Sequence, residues 1–328
     1  MIFGAGDILM SPHPTKNPKK YDMNKAFAHV TPILKTGDIA FGNLEAPTTL
    51  RGKRHPTKKY RFRQHPIVID VLKKAGFTLL SLSNNHILDY GMVGAIDTIK
   101  AAQKYKIHYA GVGRNFREAR KPAIFKVNGH KVGFLAFTLT YPRDFWANKK
   151  RGGTVAGFPG VLKKDIRKLK KKVDLVIVSF HWGGEGRPYP KQYQKDTGKL
   201  AIQYGAKIVF GHHPHVLEGV ELYRGGVIYY SLGNFFFATM LHNKASILAK
   251  VTLDKNLNIK EVAGIPFNVS PKLTQYQPRP AAPKLAKRIY YQMRHISKGF
   301  GTRTTWKEKR MIFKAPRYKK IRRRKKRR

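Results

Sequence analysis

Lys207-Ile208-Val209-Phe210-Gly211-His212-His213-Pro214-His215 decides how the chain is read. A run of β-branched and aromatic residues, the composition of a buried strand, stops at a glycine and gives way at once to three imidazoles and a proline. The same event recurs upstream. Ile2 to Ala5 leads into Gly6-Asp7; Gly37-Asp38 and Asn43-Leu44-Glu45 bracket Ile39 to Gly42; Thr78 to Ser83 leads into Asn84-Asn85-His86 with Asp89; Asp174 to Phe180 leads into His181-Trp182-Gly183-Gly184-Glu185. In open α/β sheets ligands bind outside the carboxyl ends of strands, so clusters this far apart in sequence are expected to converge on one site.

Further strands are predicted at Ala123 to Val127, Lys131 to Thr138 and Val227 to Ser231, with helices at Pro66 to Ala75, Met92 to Lys104, Lys163 to Lys172 and Lys191 to Tyr204. Helices alternating with strands argue for an α/β fold layered on a sheet. Asn128-Gly129 and Gly225-Gly226 each separate two strand-like runs, as hairpin turns do, so part of the sheet is expected to be antiparallel.

The chain has 328 residues, 66 Lys+Arg against 18 Asp+Glu and a formal charge of +48, a balance that excludes an acidic solvating protein. At 41% hydrophobic with 19 Phe, 16 Tyr and 3 Trp it can bury a full core. It has no cysteine, which leaves His, Asp, Glu and Asn as metal and catalytic ligands. No apolar run approaches the roughly 20 residues that cross a bilayer, and Met1-Ile2-Phe3 lacks the form of a signal peptide, so a soluble intracellular or particle-associated protein is expected. Beyond Pro271 the chain carries 22 Lys+Arg and one acid, Glu308. Pro271, Pro278, Pro280 and Pro283 suggest an extended linker there, which places a domain over 1–270 and a strongly basic extension, partly disordered, over 271–328. A short basic helix is expected from Lys284 to Arg294.

Carboxylates and imidazoles in company suit hard or borderline divalent cations, and two adjacent ions commonly share a carboxylate. Asp38 is the candidate for that bridge. The order Gly-Asp, Gly-Asp, Asn-His, His, His-x-His resembles the calcineurin-like metallophosphoesterase superfamily. Within it, Gly37-Asp38-Ile39 with Asn43-Leu44-Glu45-Ala46-Pro47, Ser83 to Gly91, His181-Trp182-Gly183, Gly211 to Val216 and Tyr230 to Phe235 are similar to the CapA family of capsule synthesis proteins, over roughly residues 1 to 240.

The resemblance implies a two-sheet metallophosphatase-like sandwich flanked by helices. It also implies a site for two divalent ions (Mn, Fe, Zn or Mg) held by Asp7, Asp38, Asn85, His181, His213 and His215, with Glu45 a further ligand. His86 would then act on the substrate, stabilising an anion or protonating a leaving group, and Glu185 would orient His181 or activate water. The implied function is synthesis or processing of a poly-gamma-glutamate-like capsule polymer, by hydrolysis or transfer on an anionic polymer or phosphoester. The residues leave a second reading open, a non-catalytic scaffold binding nucleic acid nonspecifically through Arg322, Arg323, Arg324, Lys325, Lys326, Arg327 and Arg328. Asp89 is expected to cap the helix that starts near Met92, with an orienting bond to His86 as the alternative, and Trp182 and Phe235-Phe236-Phe237 are expected in the core.

Overall fold

A computed structural model describes residues 1–11, 22–239 and 245–316. Its principal strands are Ile2–Leu9 (β1), Ile39–Leu44 (β2), Leu79–Ser81 (β3), His108–Ala110 (β4), Ala123–Val127 (β5), His130–Thr138 (β6), Leu175–His181 (β7), Ile208–His212 (β8), Val220–Tyr223 (β9), Gly226–Tyr229 (β10), Asn234–Phe237 (β11), Ala245–Leu253 (β12), Ile259–Asn268 (β13), Arg303–Lys307 (β14) and Arg310–Lys314 (β15). The longer helices are Ile67–Ala75 (α1), Gly91–Lys104 (α2), Pro159–Lys170 (α3), Gln192–Tyr204 (α4) and Pro283–Lys298 (α5).

The strands form two sheets. One runs β14-β15-β13-β12-β1-β2-β3-β4, with β11 also pairing β1; the other runs β9-β10-β8-β7-β6-β5. Strands β1 to β4 are parallel to one another, as are β6, β7, β8 and β10, so each sheet has a carboxyl edge where ligands can gather. Between the sheets lies one core, in which Phe41 stacks on Phe210 with centroids 4.9 Å apart and Phe134 packs against Phe41 at 5.5 Å. Apolar faces of α1 and α2 cover the outer side of the first sheet, and those of α3 and α4 the outer side of the second. In α1 the buried residues are Val68, Ile69, Val71, Leu72 and Ala75, the spacing of one helical face, and Gly76 closes the helix in the left-handed conformation at φ 100°. This is the helix-flanked two-sheet sandwich expected from the sequence.

The Asn128-Gly129 hairpin joins β5 to β6 in the expected register. The second hairpin turns one residue earlier than expected, on Arg224-Gly225, because Tyr223 pairs Gly226 and both turn residues take positive φ. Trp182 and Phe235 are fully buried.

The boundary expected at 271 is corrected by the packing. The helix expected from Lys284 to Arg294 lies within α5, which Pro283 opens, and it packs Ile289, Met293 and Ile296 into the core between the sheets where a linker-borne helix would stand free. Strand β15 then pairs β13 through Val262 and Phe313, so residues 271–316 complete the first sheet. Arg322 to Arg328 lie outside the described residues. Among the described residues no helix is long and apolar enough to cross a membrane.

Candidate metal centre

The site forms where the carboxyl ends of β1, β2, β7 and β8 meet. Asp7 pairs in register with Asn43, and His181 with His212. Close approach depends on Gly6: a Cβ there would lie 1.9 Å from the Gly233 carbonyl oxygen, and the neighbouring Asp7 amide donates to that same oxygen at 2.9 Å. In the loop after β8, His213 and His215 hold φ of 94° and 60°, a region that non-glycine residues rarely occupy and that clusters at functional sites.

Six of the expected ligands come together. Donor atoms of Asp7, Glu45 and His215 lie within 4.8 Å of one another, as do those of Glu45, His181 and His213, and those of Glu185, His213 and His215. Glu45 belongs to two of these sets, and it is completely buried. Its Oε1 lies 3.5 Å from His215 Nε2 and 3.9 Å from His181 Nε2. Asn85 joins them, with Oδ1 2.9 Å from His181 Nε2. Asp7 accepts from His212 Nδ1 at 3.1 Å and faces His215 Nδ1 at 3.2 Å. His212 is thus a neighbour of the cluster, its ring packed 5.4 Å from Phe41.

Asp38 is not in the cluster, and its assignment as the bridge is corrected. It precedes the first residue of β2, so at about 3.3 Å per residue it lies about 16 Å before Asn43 along the strand, at the amino edge. Its carboxylate pairs with the Met1 amino group and accepts from Asn128 Nδ2 at 2.8 Å. The carboxylate common to two donor sets is instead Glu45. Glu185, which is exposed, faces His213 and His215 and does not orient His181. Asn43 is the residue beside that ring, its Nδ2 3.3 Å from His181 Nδ1. The same amide donates to Asp7 Oδ1 at 2.9 Å and to Glu45 Oε2 at 3.3 Å.

Burial sets the protonation pattern. It opposes ionisation of Asp7, yet hydrogen bonds and charge from His212 and His215 hold that carboxyl well below its ordinary value. Glu45 is pushed well above its own by burial and by the Asp7 charge. Burial keeps His181 well below the usual imidazole range, and burial with the neighbouring His215 lowers His213 to about 3. His215 is raised, because Asp7 outweighs its burial. Neutral imidazoles and carboxylate oxygens are the donor set of borderline divalent cations. Among the described residues buried Glu45 Oε1 and His213 Nδ1 have no hydrogen-bond partner, an arrangement costing about 1–3 kcal/mol per atom that a cation would relieve. These residues fit a metal.

Beside the cluster, His86 donates through Nδ1 to Asp89 Oδ2 at 2.6 Å, since a carboxylate can only accept. Asp89 therefore orients His86; α2 begins at Tyr90 without a side-chain cap, contrary to the capping role expected for Asp89. Two contributors escaped the sequence reading. Asn43 groups with Glu45 after the predicted strand Ile39 to Gly42 without a role of its own, although its distance of two residues from Glu45 on one strand face signals one. Lys58 sits in a basic loop that reads as solvated, yet its ammonium pairs with Asp89, donates to the Asn85 carbonyl and lies 3.1 Å from His86 Nδ1.

A two-sheet sandwich with buried carboxylates, amides and imidazoles at its carboxyl edge is the metallophosphatase-like fold. It matches a 5'-nucleotidase precursor from Thermus thermophilus with a TM-score of 0.51 at 14% identity, over 83% of this chain and 54% of that one. The family described as bacterial capsule synthesis protein PGA_cap matches residues 1–239, and the chain belongs to it. It is 37% identical over 306 residues to the capsule biosynthesis protein CapA of Bacillus anthracis, covering 90% of this chain and 73% of that protein. To the PGA biosynthesis protein CapA of Bacillus subtilis it is 35% identical over 255 residues, covering 77% and 67%.

Proposed function

We propose that this chain is a metal-dependent hydrolase or transferase that processes an anionic capsule polymer of the poly-gamma-glutamate type. The observation that carries the reading is Glu45, a buried carboxylate common to two donor sets with one oxygen that accepts no hydrogen bond among the described residues. Asp7, Glu45 and His215 would hold one divalent ion, and Glu45, His181 and His213 a second, with Asn85 adding an amide oxygen beside His181. When bound, such ions polarise an acyl or phosphoryl oxygen and supply an acidified water near neutral pH.

The chain's own residues do the rest. Asn43 fixes the ring of His181 and the two carboxylates. His86, held in one tautomer by Asp89, keeps Nε2 available to relay a proton to a leaving group. Lys58 restrains Asp89 and the Asn85 backbone together, so the proton relay and the amide ligand move as one unit. The cation-rich exterior, +48 over the chain, concentrates an acidic polymer near this edge. Arg322 to Arg328 would add to that attraction.

The test is to load the chelated protein with Mn, Fe, Zn or Mg and supply a γ-linked glutamate oligomer and a simple phosphodiester. Metal-dependent cleavage or transfer supports the reading. Stoichiometric metal with no turnover of either would leave a scaffold and overturn it.

A further inference from the structure

Between Glu45 and Asp70 the chain carries seven lysines and arginines and no acid. The structure sorts them. Arg51 pairs with Asp97, its Nε 3.1 Å from Oδ2, and Lys58 pairs with Asp89. Arg54, Arg61 and Arg63 line a cavity of about 460 Å³ together with Phe62 and Tyr90, and among the described residues none of the three has a carboxylate within ion-pair distance.

Each guanidinium is nevertheless held in place. Arg54 Nε donates to Tyr90 Oη at 3.2 Å, Arg61 Nη1 to the His55 carbonyl at 3.1 Å, and Arg63 Nη1 to the Leu50 carbonyl at 3.3 Å. Arg63 also lies over the Tyr90 ring at 4.7 Å. A guanidinium has five donors, so these contacts fix the side chains and leave most of their hydrogen-bonding capacity for an anion.

The cavity adjoins the candidate metal centre. The Phe62 ring is 4.8 Å from that of His86 and its amide donates to Asp89 at 2.7 Å. On the other side, Thr239 lines the cavity two residues after Phe237, whose ring is 4.7 Å from that of His215. We infer that this cavity is a subsite for the carboxylates of an acidic polymer, with Arg54, Arg61 and Arg63 engaging successive carboxylates while the polymer backbone is presented to His86. The inference rests on the proposed substrate class and names the residues that recognise it. Stacking of nucleic-acid bases is disfavoured, because the Phe62 ring is engaged with His86 and Arg63 covers Tyr90.

The experiment measures binding of a fluorescent γ-linked glutamate decamer at about 150 mM salt, with a thymidine decanucleotide as competitor. Replacing Arg54→Ala and Arg63→Ala together should weaken binding of the γ-glutamyl probe by about tenfold or more, since charge-assisted hydrogen bonds are lost. Arg54→Lys with Arg63→Lys should restore little of it, because lysine lacks the planar fork. Lys53→Ala with Lys59→Ala removes equal charge from the same loop outside the cavity and should change binding less than about twofold. Equal weakening in the two alanine pairs, or full rescue by lysine, would overturn the subsite. So would equal competition by the oligonucleotide, or absence of γ-glutamyl binding by the unaltered chain. Metal content, measured in the same samples, separates the two claims: its absence from the unaltered chain would overturn the proposed chemistry, while the binding data decide the cavity alone.

Discussion

Glu45→Gln should make the metal-free protein more stable and the metal-loaded protein less so. Asp7 and Glu45 are fully buried acids that share the amide of Asn43, at 2.9 and 3.3 Å, and among the described residues Glu45 Oε1 has no hydrogen bond. Glutamine keeps the volume, cannot take up the charge that burial and the Asp7 carboxylate disfavour at this position, and adds a donor where carboxylates crowd. One orphaned buried oxygen and the cost of seating a second acid beside the Asp7 charge together set the gain at about 2 kcal/mol, or about 4 °C in Tm for a chain of this size. Metal should then act in the opposite sense: at about a hundredfold excess over Kd it stabilises the unaltered chain by about 2.7 kcal/mol and the variant far less. Paired melts with chelator and with Mn, Fe, Zn or Mg read both terms. A variant that melts no higher without metal, yet gains as much from metal, would refute the placement of Glu45 between the ions.

Three further outcomes follow from the geometry. Asp38→Asn should leave metal content unchanged and cost about 1 kcal/mol or less, the value of a partly exposed pair with Met1, as read by elemental analysis and melting. Asp89→Asn and Lys58→Met should each lower kcat on a metal-dependent substrate by about ten- to a hundredfold, with KM and metal content nearly unchanged, because they orient His86 and do not hold metal. Glu218, which accepts from Gln194 Nε2 at 3.0 Å, is pushed by burial up to about 8 from its ordinary 4.5. Between those values the folded chain keeps a proton that the unfolded chain has lost, so stability falls as pH rises and levels off above about 8. Glu218→Gln should flatten that slope in melts from pH 5 to 9, with its largest advantage at the alkaline end.

Much of this was legible in the residues. Strand-forming runs that stop at Gly-Asp, Asn-His or Gly-His announce the carboxyl edge of a sheet, and Asp7, Glu45, Asn85, His181, His213 and His215 do meet there. Asp38 misled because Gly37-Asp38 repeats Gly6-Asp7 in composition but not in position: one pair falls within a strand near its end and the other precedes a strand. After 270 the helix from Lys284 was legible but its docking was not, since four prolines and a basic composition read as an extension, and only the apolar spacing through Ile289, Met293 and Ile296 signals a face that packs on the core. Lys58 was not legible. Its surroundings in sequence are basic and polar, and only the fold brings Asp89 to it.

Metal stoichiometry tests the central claim most directly. After chelation and reconstitution, the unaltered chain and Asp38→Asn should each take up about two ions, and a His213→Ala, His215→Ala double variant should lose them. Equal uptake by the double variant, or loss in Asp38→Asn, would contradict the site described here.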